Sequence, residues 1–211
     1  MRETKIDFIR HTRLRDVDGT FCYGASDLDV AESSREEAEG VRRALEGRTY
    51  DATFTSPLRR ARKLAAYCGY ETAMVDPRLA ERNFGEWEMR PWDELYSEIR
   101  RQPDLQLLEE RNPELVTPPG GESIAEMRRR VTSLVEEVCL HPEWERVAFF
   151  CHGGVINIGR WIKGVIDFSD LFIDLPHYGS ITSLTFAPSS ADRSSCSSVP
   201  SPPWDTPSPT A

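Results

Sequence analysis

Ile6, Phe8 and Ile9 make a short apolar run near the start of the chain, and Val147 to Cys151 make another. Both read as strands, the second apolar without a break, as expected of a strand buried on both faces. Ala52-Thr-Phe-Thr55 and Ala73-Met-Val75 read as two more, and Ile181 to Phe186 alternates as a last strand. Helical spacing fills the intervals. Ala38, Val41 and Leu45 form one stripe, opened by Asp29 as a cap with Glu32 three residues on and stopped by Gly47. Leu58, Ala61, Leu64, Ala65 and Cys68 form a second, opened by Ser56-Pro57. Ile124, Met127, Val131, Leu134 and Val138 form the clearest one, with Ser123 and Glu126 in a capping-box pattern. A further helix is predicted over about 155–163. Strand–helix alternation predicts an α/β fold: a three-layer sandwich whose central sheet is mainly parallel and flanked by helices.

Two stretches break the alternation. Arg78 to Glu122 has no clear period and carries Glu81, Trp87, Trp92 and Tyr96. Short helices are expected from Trp92 to Arg101 and Leu105 to Glu110. A long excursion in a compact α/β domain suits a lid or substrate wall, with Trp87 and Trp92 as its packing. From Ala187 onward serine and proline dominate. The expected organisation is one domain over 1–187 and a disordered tail over 188–211.

Composition narrows the chemistry. The 211 residues are 39% hydrophobic and 29% charged, with a net charge of −9. That average field disfavours nucleic acid. No apolar run approaches the roughly 20 residues of a membrane span. The start leads straight into a strand without a signal peptide, and five cysteines have no paired spacing. A reducing, cytoplasmic setting is the expectation. No CxxC or HExxH motif occurs, so neither a metal nor another cofactor is expected. The oligomeric state is not readable; a homodimer is left open.

The arginines crowd in two places, Arg10/Arg13/Arg15 and Arg59/Arg60/Arg62, which suits a small anion in a focused pocket. Arg60 and Arg62 individually read as solvated helix charge. Four polar positions lie just past strand ends: Arg10-His11 after the first, Arg59 after the second, Glu81 after the third, and His152 before Gly153-Gly154 after the buried strand. In a parallel sheet those ends share one edge, where open α/β folds hold their ligands. The set fits phosphoryl transfer on a small-molecule phosphate monoester. Arg10 and Arg59 would fix the phosphate oxygens. His11 would be the nucleophile, and Glu81, flanked by Leu79 and Phe84, would donate the leaving group's proton. His152, if protonated, would add positive charge, and the Gly-Gly amides would point at the same anion.

The segments Arg10-His11-Thr12, Gly24-Ala-Ser-Asp27, Thr55-Ser-Pro-Leu-Arg59, Glu81-Arg-Asn-Phe-Gly-Glu-Trp-Glu88 and Cys151-His-Gly-Gly154 resemble, in order, the motifs of the histidine phosphatase superfamily. The resemblance implies a phosphoglycerate mutase-like fold, a phosphohistidine at His11, a phosphate pocket of Arg10, Arg59 and His152, Glu81 as proton donor, and no metal. Cys22 to Asp27, Phe84 to Glu88 with Trp92-Asp-Glu94, and Tyr178-Gly-Ser-Ile-Thr182 are similar to α-ribazole phosphatases of cobalamin biosynthesis. Thr12 stands where most members have glycine, and Val17 where many place an asparagine; Ser26 or a loop backbone N–H is the candidate replacement. A phosphoglycerate mutase-type transfer and an inactive binding module of the same fold are the alternatives.

Overall fold

A computed structural model describes residues 2–15, 17 and 19–188. The tail expected from 188 onward lies outside the described residues, apart from its first. Five strands build one sheet: β1 (Thr4–Arg10), β2 (Ala52–Thr55), β3 (Met74–Val75), β4 (Arg146–Cys151) and β5 (Ile181–Phe186). The order is β3-β2-β4-β1-β5; the first four are mutually parallel and β5 pairs antiparallel with β1 at one edge. Phe8 lies beside Phe149 and Ile9 beside Phe150, so the two central strands run in step.

Strand alternation sorts their side chains to opposite faces. Ile6, Phe8, Val147, Phe149 and Cys151 pack against α5 (Ile124–Leu140) and α6 (Gly153–Ile162). Ile9, Ala148 and Phe150 pack against α1 (Arg35–Leu45) and α2 (Arg59–Tyr67). Both faces are covered, giving three layers. The excursion carries α3 (Trp92–Ile99) and α4 (Pro103–Arg111) and has its own apolar cluster of Cys22, Phe84, Trp87, Leu95 and Ile99.

The helix limits follow the local chemistry. Ser123 caps α5 through the full capping box with Glu126, an arrangement worth about 1 kcal/mol. Asp29 does not cap α1. Its carboxylate instead takes Lys63 Nζ and the Val30 amide, and a short 3₁₀ turn over Glu32–Ser34 leads into the helix. Ser56-Pro57 lies before α2 rather than in it, and Ser56 Oγ accepts the Leu58 amide. Among the described residues no helix is long and apolar enough to cross a membrane.

Candidate active site

The carboxyl ends of β1, β2 and β4 converge. His11 follows β1, Ser56 follows β2 and leads into α2, and His152 follows β4 as the N-cap of α6. The rings of His11 and His152 lie 5.1 Å apart, centre to centre. His11 is 3% exposed and His152 is fully buried.

Each ring has a defined tautomer. His11 Nδ1 lies 2.7 Å from the Thr12 carbonyl oxygen. A carbonyl only accepts, so Nδ1 carries the hydrogen and Nε2 keeps its lone pair. The departure from glycine at Thr12 leaves this backbone contact in place. His152 Nδ1 lies 3.1 Å from Arg60 Nε, which only donates, so this Nδ1 holds the lone pair and Nε2–H donates to Ser56 Oγ at 2.7 Å. Burial first, then the Arg60 guanidinium, holds both imidazoles well below the usual histidine range. His152 is therefore neutral at pH 7. It orients Arg60 and adds no charge of its own, contrary to the expectation from sequence.

The second arginine also differs. Arg59 is not brought to the set: its guanidinium is held by Asp27 and its side chain is 55% exposed. Arg60, read from sequence as solvated charge, is fully buried. It donates to His152 Nδ1 and to the carbonyls of Ser26 and Gly24. A signal for it was present: Arg60 lies four residues before buried Leu64, on the inward face of α2, whereas Arg59 lies four before Lys63. Ser26 does not offer a free hydroxyl. Its Oγ and N–H are both taken by Glu88, which also accepts the amides of Gly24, Ala25 and Phe84. Glu88 is a second group whose role local spacing did not reveal.

Arg10 is 9% exposed and lies over the Tyr178 ring, 4.1 Å from its centre. One terminal nitrogen donates to the Pro176 carbonyl, while its Nε is buried with no hydrogen-bond partner. Glu81 accepts the Gly154 amide at the start of α6 and the Arg82 amide, both at 3.0 Å. A Cβ on Gly154 would lie 2.3 Å from Glu81 Oε1, and one on Gly153 would lie 3.1 Å from Arg10 Cζ. The two glycines thus let Arg10 and Glu81 close onto the helix terminus, where the amides and dipole favour an anion. A hollow of about 170 Å³ opens beside this point, with Arg10, Glu81, Gly153 and Gly154 in its lining. His11, Arg60 and His152 are not among the residues that line it.

The fold and this histidine-and-arginine set define a class. The model of the histidine phosphatase superfamily (branch 1) matches residues 6–193, and the chain belongs to that family. Phosphoglycerate mutase-like protein 4 of Arabidopsis thaliana is 27% identical over 139 residues, 64% of this chain and 60% of that protein. The match thus spans less than two thirds of that relative's length. A putative phosphoserine phosphatase 2 of Hydrogenobacter thermophilus is 26% identical over 156 residues, 72% of this chain and 75% of that one. Among solved structures, the mycobacterial glucosyl-3-phosphoglycerate phosphatase Rv2419c superposes with a TM-score of 0.71 at 24% identity, covering 87% of this chain and 91% of that one. A putative α-ribazole-5′-P phosphatase of Escherichia coli superposes with a TM-score of 0.73 at 19% identity, covering 86% and 90%.

Proposed function

We propose that the protein hydrolyses a small phosphate monoester through a phosphohistidine at His11. The observation that carries this reading is the tautomer of His11: the Thr12 carbonyl holds the hydrogen on Nδ1 and leaves Nε2 as the nucleophile. The orphaned Arg10 Nε supports it, since a buried donor without a partner is costly and a phosphate oxygen satisfies it. Arg60 is the second phosphate-binding guanidinium, in place of Arg59. His11 lies beside the Tyr178 ring, 5.5 Å centre to centre, and Arg10 lies over the same ring.

Nε2 of His11 attacks phosphorus in line, the P–O ester bond breaks, and the leaving oxygen takes the proton of Glu81. Water then attacks the phosphohistidine, Glu81 takes its proton, the P–N bond breaks and inorganic phosphate leaves. His152 keeps Arg60 aimed, and the dipole of α6 favours the developing charge. The likeness of Cys22 to Asp27 and Tyr178 to Thr182 to α-ribazole phosphatases favours α-ribazole 5′-phosphate, in cobalamin biosynthesis, as substrate. The free buried thiols of Cys22, Cys139 and Cys151 suit a reducing, cytoplasmic setting.

Hydrolysis of p-nitrophenyl phosphate by the purified chain, lost in His11→Ala, tests the reading. Unchanged turnover in that variant would overturn it. Mutase-type transfer uses the same intermediate; isomerisation of 3-phosphoglycerate with a bisphosphate primer and no free phosphate would favour it instead.

A further inference from the structure

Resting on that reading, we infer that the alcohol half of the ester is an uncharged, planar aromatic group on a short linker, and not a carboxylate-bearing acid. The hollow of about 170 Å³ has more room than a phosphoryl group fills, so part of it serves the rest of the substrate. The rest of its wall is mostly aromatic, with Phe21, Tyr23, Phe84, Trp92 and Phe172 beside Leu175. Phe84 and Trp92 meet edge to face with ring centres 5.6 Å apart. Phe21 and Phe172 are 36% and 47% exposed, so two large apolar side chains face water until a guest covers them.

The charges in the wall lead to the same class. Among the described residues lining the hollow, only Arg10, Glu81 and Arg82 are charged. Arg10 and Glu81 belong to the phosphoryl end. Arg82 is 7% exposed and spends Nε and Nη2 on the carbonyls of Glu122 and Val116, with its guanidinium over the Phe84 ring. A carboxylate on the substrate would lose its water among aromatic rings beside an Arg82 whose Nε and Nη2 are already engaged. A flat ring would instead stack or meet the wall edge to face, which aromatic pairs favour beyond the area they bury. The phosphoglycerate and phosphoserine named for the relatives each carry a carboxylate, so this wall separates the chain from their named chemistry.

The test is a binding series on the full chain that needs no turnover. Calorimetry compares 2-naphthylmethylphosphonate, ethylphosphonate and 2-carboxyethylphosphonate. The naphthyl compound is expected to bind roughly 10- to 100-fold tighter than either of the others, and Phe172→Ala to cut that advantage roughly tenfold. Equal affinities, or tightest binding of the carboxylate, would overturn the inference; the latter would assign Arg82 as its partner. Loss of catalysis in the parent chain with this ranking intact would count against the phosphatase reading alone.

Discussion

Arg60 Nε donates to His152 Nδ1 across 3.1 Å, and both side chains are fully buried. The bond fixes a neutral imidazole behind a guanidinium, and the remaining arms of Arg60 hold the loop carbonyls of Gly24 and Ser26. Removing this side chain leaves three acceptors unsatisfied as well as removing the proposed phosphate ligand. Arg60→Ala is expected to lower kcat/KM roughly 100-fold or more and to destabilise by roughly 3 kcal/mol. Arg59→Ala is expected to stay within roughly threefold of the parent, because an exposed pair with Asp27 contributes little. Kinetics on p-nitrophenyl phosphate and urea unfolding of both variants check the contrast.

Glu88 holds the same loop from the other side, accepting the amides of Gly24, Ala25 and Ser26 while Arg60 holds the carbonyls. Burial opposes its charge, but the bonds from Ser26, Phe84, Gly24 and Ala25 outweigh that and hold the carboxyl below the usual range. Glu88→Gln exchanges an acceptor oxygen for an NH₂ facing N–H donors. It is expected to lower kcat roughly tenfold through misplacement of Arg60, with the circular dichroism of the fold retained. Equal kcat in parent and variant would show that the loop needs no such anchor.

The buried histidines tie stability to pH. Their folded pKa values lie well below 6.5 while an unfolded histidine titrates near 6.5. Between those limits the unfolded chain binds protons that the folded chain refuses, so stability falls as pH drops below about 6.5. The maximal slope for two such groups is about 2.7 kcal/mol per pH unit. Urea unfolding at pH 7.5, 6.5 and 5.5 should follow this direction, and His11→Gln should roughly halve the slope. A parent stability that rises on acidification through this window would contradict the burial of neutral imidazoles.

The proton-donor role proposed for Glu81 makes the rate depend on the leaving group. Glu81→Gln is expected to slow an alkyl phosphate by roughly 100-fold or more and p-nitrophenyl phosphate, whose phenolate departs readily, far less. Gly154→Ala should shift the same ratio in the same direction, because the new Cβ would lie 2.3 Å from Glu81 Oε1. Equal losses on both esters would remove Glu81 from the proton transfer.

The layers were legible because the apolar runs at Ile6–Ile9 and Val147–Cys151 and the stripe beginning at Ile124 are periodic over their own length. That His11, Glu81 and His152 would fall at one edge was legible because the strand ends share it. What local pattern could not carry was partnership across the chain. Asp29 looked like a cap until Lys63, far away in sequence, took its carboxylate. Ser26 looked free until Glu88 did the same. Arg59 and Arg60 are adjacent, and their roles diverge because one helical residue is a rotation of 100°. That step turns Arg59 to Asp27 and Arg60 to the buried edge of the sheet.

The most direct measurement is to mix the protein rapidly with a phosphate monoester, quench under alkaline conditions that preserve phosphoramidates, and map the phosphoryl group by mass spectrometry and nitrogen-specific antibodies. The expected product is His11 phosphorylated on Nε2, since the Thr12 carbonyl occupies Nδ1. Phosphate on Nδ1, on another side chain, or on none while turnover proceeds would contradict the central claim.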